Sequence, residues 1–260
     1  MNAKELIQVF QDTLSVTRCD PAIAAKTAEA IRHTTVYEPN FHAPIRETKR
    51  NDVRLQVVQG GTLDTARSRG IGKTAALNFA NPIRPGGGVC IGVRAQEEAL
   101  CRCSNLYDTL STEALQTAYY KWHAENTDNL FSDKVIYIPD IQVVKDDSYA
   151  PLETPCSVDI ITCAAPYNED SLEDNVLYPI YVSRITNILE VSMDQNVDTI
   201  VLGAFGCGAF FNPPQLMASA FREVLINRGY ARYFKQVIFA ILTPHLCHPN
   251  YTVFHKELTE

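Results

Sequence analysis

The sequence predicts an α/β fold of three layers, α/β/α, and three observations predict it. Short apolar runs of strand length recur at 53–58, 75–80, 134–138, 158–164, 198–202 and 236–242. Longer segments between them carry the three- and four-residue apolar spacing of amphipathic helices. Two of the strands run straight into glycine-rich loops, at Gly86-Gly87-Gly88 and across 203–210. Loops at strand ends are where sheets of this class hold their ligands.

Taken in order, Leu6, Ile7, Val9, Phe10 and Leu14 predict a helix over 3–16. Asp20-Pro21 reads as an N-cap followed by proline at the first helical position, opening a second helix through about His33. Residues 34–52 hold Pro39 and Pro44 and little periodicity, and read as an extended connector. The chain is therefore expected to comprise a helical extension, 1–52, and one structural unit, 53–260, with no internal repeat or low-complexity linker. Within that unit 53–58 is a strand, 62–69 a helix or turn, 75–80 a buried strand and 95–106 a helix with its acids in the first turn. A helix at 112–125 and strands at 134–138 and 158–164 follow. A long helix, 175–193, is expected to turn Ile180, Ile185, Ile188 and Leu189 inward. Strand 198–202, a helix from Pro213-Pro214 to about 227, and a strand at 236–242 that closes the sheet complete the order.

At 260 residues the chain is long enough for one large domain with a full core. It contains neither a run of about 18 apolar residues nor a charged-then-apolar leader, so the expectation is a cytoplasmic protein with no membrane partner. Its eight cysteines are scattered, several within apolar runs, which suits reduced thiols better than a disulfide framework. A formal charge of −7 argues against general nucleic-acid binding. From Arg46 to Arg102, however, ten basic residues face five acidic ones. The segment carrying the first glycine loop is thus basic, as an anionic ligand would favour, or is simply a solvated mixture of charges.

The stretch from Ala75 to Tyr107 carries the chemistry. Three consecutive glycines remove every Cβ, so a phosphate or ribose can lie directly against main-chain amides. Gln96-Glu97-Glu98 follows at the head of a helix. Alone, the glycines read as a tight turn and the acids as compensation of the helix dipole on a solvated face. Together, directly after a buried strand, they place a glutamate beside a bound sugar. Glycosidic cleavage needs such a group: a general acid protonates the leaving oxygen while the ring passes through an oxocarbenium-like state. The loop 203–210 lies between a strand and a helix, where backbone amides converge on a diphosphate.

Asn78-Phe79-Ala80-Asn81, then Gly86-Gly87-Gly88, seven residues, and Gln96-Glu97-Glu98 resemble the signature of poly(ADP-ribose) glycohydrolases, elaborated macrodomains. Gly203-Ala204-Phe205-Gly206-Cys207-Gly208-Ala209-Phe210 resembles their diphosphate loop. The likeness to the compact microbial branch spans most of the chain. It implies a macrodomain-like mixed sheet, an N-terminal extension beside the ligand cleft, and hydrolysis of ribose–ribose bonds without metal or redox cofactor. The partners implied are poly(ADP-ribose) or another ADP-ribosylated macromolecule, with ADP-ribose as product.

By the same resemblance Glu98 protonates the leaving 2′ oxygen and later activates water, and Glu97 positions ribose hydroxyls. Gln96 orients the pair, Asn81 meets ribose hydroxyls, and Phe210 packs against the ribose next to the scissile bond. Gly86, Gly87, Gly88, Gly206, Cys207, Gly208 and Ala209 complete the binding set. Acid catalysis at neutral pH requires a raised pKa at Glu98, which partial burial and the charge of Glu97 would promote. Phe205 is either a ligand contact or core. Tyr167 either stacks on adenine or lies at the surface, and Thr62 and Asp64 are candidates for the adenine end. Cys101 and Cys103 fall on opposite faces of a helix and so do not suit a shared metal. His245, Cys247 and His248 offer zinc-type ligands without a second cluster, and a polar turn is the default there. Cys207 at a helix N-terminus has no histidine spacing that supports a thiol nucleophile, and reads as a small packing residue. Two further functions stay open: hydrolysis of ADP-ribose from a protein or nucleic-acid attachment, and a silent ADP-ribose reader, against which the paired glutamates argue.

Overall fold

The computed structural model describes residues 1–44, 50, 52–243 and 245–259. In chain order the elements are α1 (Ala3–Cys19), α2 (Pro21–His33), β1 (Thr35–Tyr37), β2 (Arg54–Gln59), α3 (Thr62–Arg69) and β3 (Thr74–Phe79). Next come α4 (Gln96–Cys103), α5 (Leu106–Leu110), α6 (Glu113–Leu115), a π-helical turn (Gln116–Lys121) and α7 (Trp122–Asn126). The second half holds β4 (Val135–Lys145), β5 (Pro151–Cys163), α8 (Asp174–Asp194), β6 (Thr199–Leu202), α9 (Pro214–Arg222), β7 (Gln236–Ile241) and α10 (Pro249–Thr259).

The seven strands form one mixed sheet in the order β1-β4-β5-β3-β6-β7-β2. β5, β3, β6, β7 and β2 run parallel, while β4 is antiparallel to both of its neighbours. Strand side chains alternate between two cores, as the pleat requires. Ala75, Leu77, Val237 and Phe239 pack with α8, α9 and α10 on one face. Ala76, Val201, Ile238 and Ile160 pack with α1, α3, α4 and α5 on the other. Helices on both faces make this the three-layer sandwich that the alternation predicts.

Local chemistry explains most boundaries. Asp20 caps α2 by accepting from the Ala22 and Ile23 N–H groups, and Pro21 opens the helix. α4 stops before the expected 106: Ser104 turns extended, its hydroxyl donates to the Leu100 carbonyl, and its backbone bridges Val143 on the outer edge of β4. Asn105 continues this cover, its N–H donating to the Gln142 carbonyl while its Oδ1 accepts the Gln142 N–H.

Other expectations need correction. β5 starts at Pro151 rather than 158, because its first half is solvent-facing and lacks an apolar run. β7 does not close the sheet, since β2 pairs parallel along its outer side. The segment 112–125 is not a uniform helix but carries the π-helical turn. Ile180 is only half-buried, and Leu177 and Tyr181 take the inward places beside Ile185 and Ile188. α10 has no counterpart among the expected elements. In the connector, β1 pairs with β4, and the N–H groups of Phe41 and Ala43 donate to Asn187 and Glu190 of α8. Residues 45–49 and 51 lie outside the described part.

Candidate active site

The five parallel strands end on the same side of the sheet, and the residues that follow them wall one cleft with a cavity volume of ≈ 590 Å³. Thr62 follows β2, Ala80 follows β3, Ala165 follows β5, Gly206 follows β6 and Leu242 follows β7. Met1 and Leu6 from the α1 end complete the wall. α1 is held there by Arg102 of α4. That fully buried guanidinium donates through Nε to the Leu6 carbonyl and through Nη2 to the Val93 carbonyl.

Gln96 ties the head of α4 to the end of β3. Its Oε1 accepts the Phe79 N–H at 2.9 Å, and its Nε2 donates to the Leu77 carbonyl at 2.7 Å and the Thr62 hydroxyl at 3.2 Å. That stitching sends the next two side chains inward. Glu97 and Glu98 are 2% and 5% exposed, so the reading of a solvated acidic face fails. Glu97 Oε2 accepts the Asn81 N–H at 2.8 Å, and Oε1 accepts from Asn78 Nδ2 at 3.2 Å. Glu98 Oε1 accepts the Gly88 N–H at 2.8 Å.

Glycine is required beside this pair. Gly87 sits at φ +56°, and a Cβ there would stand 2.4 Å from Glu98 Oε1. Burial pushes Glu97 up to about 8, against the lowering effect of the hydrogen bonds from Asn81 and Asn78, and the charge of Glu98 adds to the rise. Burial thus raises Glu97, to which the sequence had assigned only the positioning of ribose hydroxyls.

The loop after β6 supplies a different chemistry. The backbone N–H groups of Gly206, Gly208, Ala209 and Phe210 have no protein acceptor among the described residues, while Cys207, Phe211 and Asn212 donate back into the loop. Four free donors beside a cleft suit an anion such as a diphosphate. Asn212 holds the loop in shape, with Nδ2 donating to the carbonyls of Pro166 and Gly206 and Oδ1 accepting from the Tyr181 hydroxyl. Gly206, at φ +70°, leaves no room for a Cβ beside Asn212 and Ala165.

The structure brings together in the cleft wall Gln96, Gly206, Gly208, Ala209, Phe210 and Thr62. Glu97, Glu98, Asn81, Cys207 and Gly86–Gly88 are not part of that wall; Asn81 and Glu97 directly follow its Ala80 and Gln96, and Gly88 is hydrogen-bonded to Glu98. Asn81 Oδ1 accepts the N–H groups of Ile83 and Arg84, closing an Asx turn that leaves Nδ2 for a ligand. Several candidates fall elsewhere. Phe205 is core, packed on Phe79 at 5.6 Å. The Asp64 carboxylate is taken by Arg67 and the Asp147 N–H, so it does not serve the adenine end. Tyr167 stands outside the wall, edge-on to Phe210.

Burial pushes the Cys207 thiol up to about 12, so it is a packing residue. Cys101 and Cys103 are buried, and His245 and Cys247 exposed. Among the described residues no group of three His, Cys, Asp or Glu is placed to hold a metal ion. Among the described residues of the basic segment only Arg94 lines the cleft; Arg102 is buried and Arg67 and Lys73 pair with Asp64 and Asp159. Arg46 and Lys49 lie outside the described residues. Sequence reasoning gave no role to Asn78 or Asn212. An asparagine inside an apolar strand was the signal for the first, and one directly before Pro213-Pro214 for the second.

One family model, described as the microbial-type PARG catalytic domain, matches residues 3–146. Among curated proteins no match was found. Solved structures are similar over nearly the whole chain. The poly(ADP-ribose) glycohydrolase of Thermomonospora curvata bound to the inhibitor ADP-HPD has a TM-score of 0.87 and 28% identity, covering 98% of this chain and 100% of that one. The poly(ADP-ribose) glycohydrolase of Deinococcus radiodurans in complex with ADP-ribose has a TM-score of 0.77 and 30% identity, covering 90% of this chain and 96% of that one.

Proposed function

The chain belongs to the microbial-type poly(ADP-ribose) glycohydrolase family, and from that membership we propose how its two glutamates divide the work. It is a glycosidase that hydrolyses the ribose–ribose bonds of poly(ADP-ribose), and ADP-ribose is its ligand. Glu98 gives its proton to the departing 2′ oxygen as the C1–O bond breaks, and the bonding pair leaves with that oxygen. Water then adds to the oxocarbenium-like carbon and returns a proton to the Glu98 carboxylate, closing the cycle.

The observation that carries this division is the different engagement of the two carboxyls. Both oxygens of Glu97 accept hydrogen bonds from the protein, whereas Glu98 commits only Oε1 and keeps Oε2 for the substrate. Glu97, which burial keeps largely protonated at neutral pH, holds ribose hydroxyls. The free amides of the loop 203–210 hold the diphosphate, and Thr62 and Leu242 stand at the adenosine end. The macromolecular substrate is the polymer.

The test is release of free ADP-ribose from purified poly(ADP-ribose), read by chromatography, with Glu98→Gln beside the wild type. Turnover is expected to fall by about 10²- to 10⁴-fold in the variant while calorimetric ADP-ribose affinity stays within about threefold. Binding of ADP-ribose without release by the wild type would sink the polymer reading and leave mono-ADP-ribosylated substrates or a reader role.

A further inference from the structure

We propose that Tyr167 and Phe211 form an outer subsite that stacks the adenine of the polymer unit on the leaving side of the scissile bond. The proposal rests on the glycohydrolase reading. Its starting point is where the carboxylates sit. Glu97 is held by the Asn81 N–H, just past β3, and the Ala80 N–H donates to the Cys163 carbonyl, so this corner abuts the exit of β5. The cleft is the size of a single small-molecule site, and its wall reaches Ala165 and Phe210 on that side. A second unit therefore has to lie outside, over the residues that follow β5.

An aromatic ledge lies there. Phe210, in the cleft wall, meets the Tyr167 ring edge-on at 5.6 Å, and Tyr167 meets Phe211 at 5.8 Å. Phe211 is 57% exposed and sits at φ +58°, a left-handed conformation that is costly for a bulky residue. It is held there by its N–H donating to the Gly208 carbonyl, while the Asn168 N–H donates to the Phe210 carbonyl. Backbone strain and a large apolar ring in water are two costs at one position, and the edge contact with Tyr167 still leaves more than half of the ring exposed. A base stacked on the ring would offset them. The ledge suits a base rather than a diphosphate, because Glu169 and Asp170, two and three residues past Tyr167, lie close enough to act on its hydroxyl and repel phosphate. Base-on-aromatic stacking is tolerant of geometry and suits a flexible polymer.

The test compares two substrates that share the ADP-ribose unit occupying the cleft: a purified ADP-ribose dimer, and an ADP-ribosyl fluoride whose leaving group has no base. Phe211→Ala is expected to lower kcat/KM on the dimer roughly tenfold, the loss of one base stack. Turnover of the fluoride and affinity for free ADP-ribose stay at wild-type values, and Phe211→Trp recovers the dimer rate. Phe211→Gly, which relieves the left-handed strain, should raise Tm and still lose the dimer rate, so a folding defect cannot imitate the result. Equal dimer rates in wild type and Phe211→Ala, or equal losses on both substrates, overturn the subsite while leaving the glycohydrolase intact. Failure of the wild type itself to cleave the dimer overturns the glycohydrolase reading and the subsite with it.

Discussion

The most informative residue is Glu97, because its proton links the site to stability. An ordinary carboxyl of this type titrates near 4.5, and burial raises Glu97 to about 8 in the folded chain. Below about 4.5 both folded and unfolded chains hold the proton. As pH rises to about 8 the unfolded chain releases it and the folded chain does not, so stability falls across that window and the penalty is constant above it. Glu97→Gln removes this slope, since Asn78 can flip its amide and offer the otherwise unpartnered buried Oδ1 to the new Nε2. Thermal unfolding at several pH values should show the variant gaining on the wild type from pH 5 to 8, by on the order of a few kcal/mol at most. A parallel pair of curves would refute a raised Glu97. At the neighbouring glycine the expectation is catalytic: Gly87→Ala drives a Cβ into Glu98 Oε1, and kcat should drop at least about 100-fold with ADP-ribose affinity largely retained. Normal turnover in that variant would mean that Glu98 works from another position.

Among the elements, the junction of β3 and α4 decides whether the glutamates reach the ribose at all. Gln96 is its fastener, and Gln96→Leu strands the Phe79 N–H and the Leu77 carbonyl without partners. A loss of about 1–3 kcal/mol in denaturant unfolding is expected, together with a fall in kcat larger than any change in KM. An unchanged kcat would show that α4 is held by its apolar face alone. This junction was legible in the sequence, because an apolar strand, three glycines and a polar triplet each have a local cause. The strands and helices with strong apolar periodicity were legible for the same reason. The solvent-facing half of β5 and the whole of α10 were not, since their apolar residues are too few to impose a period. The depth to which the two acids are buried was less legible, partial burial being expected of Glu98 alone: it comes from the approach of Gly87 and Asn81, a tertiary fact. The aromatic ledge was only half visible, with Tyr167 noticed as a stacking candidate and Phe211 not, because a left-handed φ leaves no mark on composition.

For the molecule as a whole, the acidic balance of −7 sets its behaviour toward a polyanionic substrate. Long-range repulsion opposes encounter, and among the described residues of the basic segment only Arg94 brings positive charge to the cleft wall. Between about 20 and 150 mM salt, kcat/KM on polymer should therefore lack the steep decline that a counterion-releasing nucleic-acid binder shows. A steep negative slope would mean that further cations engage the substrate. The sheet carries a second whole-molecule consequence. β1 covers only Val135–Tyr137 of the long strand β4, and farther along the same edge Ser104 and Asn105 pair with Val143 and Gln142 as the chain leaves α4. Without that cover the strand border at Gln142 and Val143 would lie open to other copies. The segment that ends the catalytic helix is thus also the molecule's guard against clumping, and damage at Asn105 should appear first as turbidity in a concentrated sample rather than as a slower enzyme.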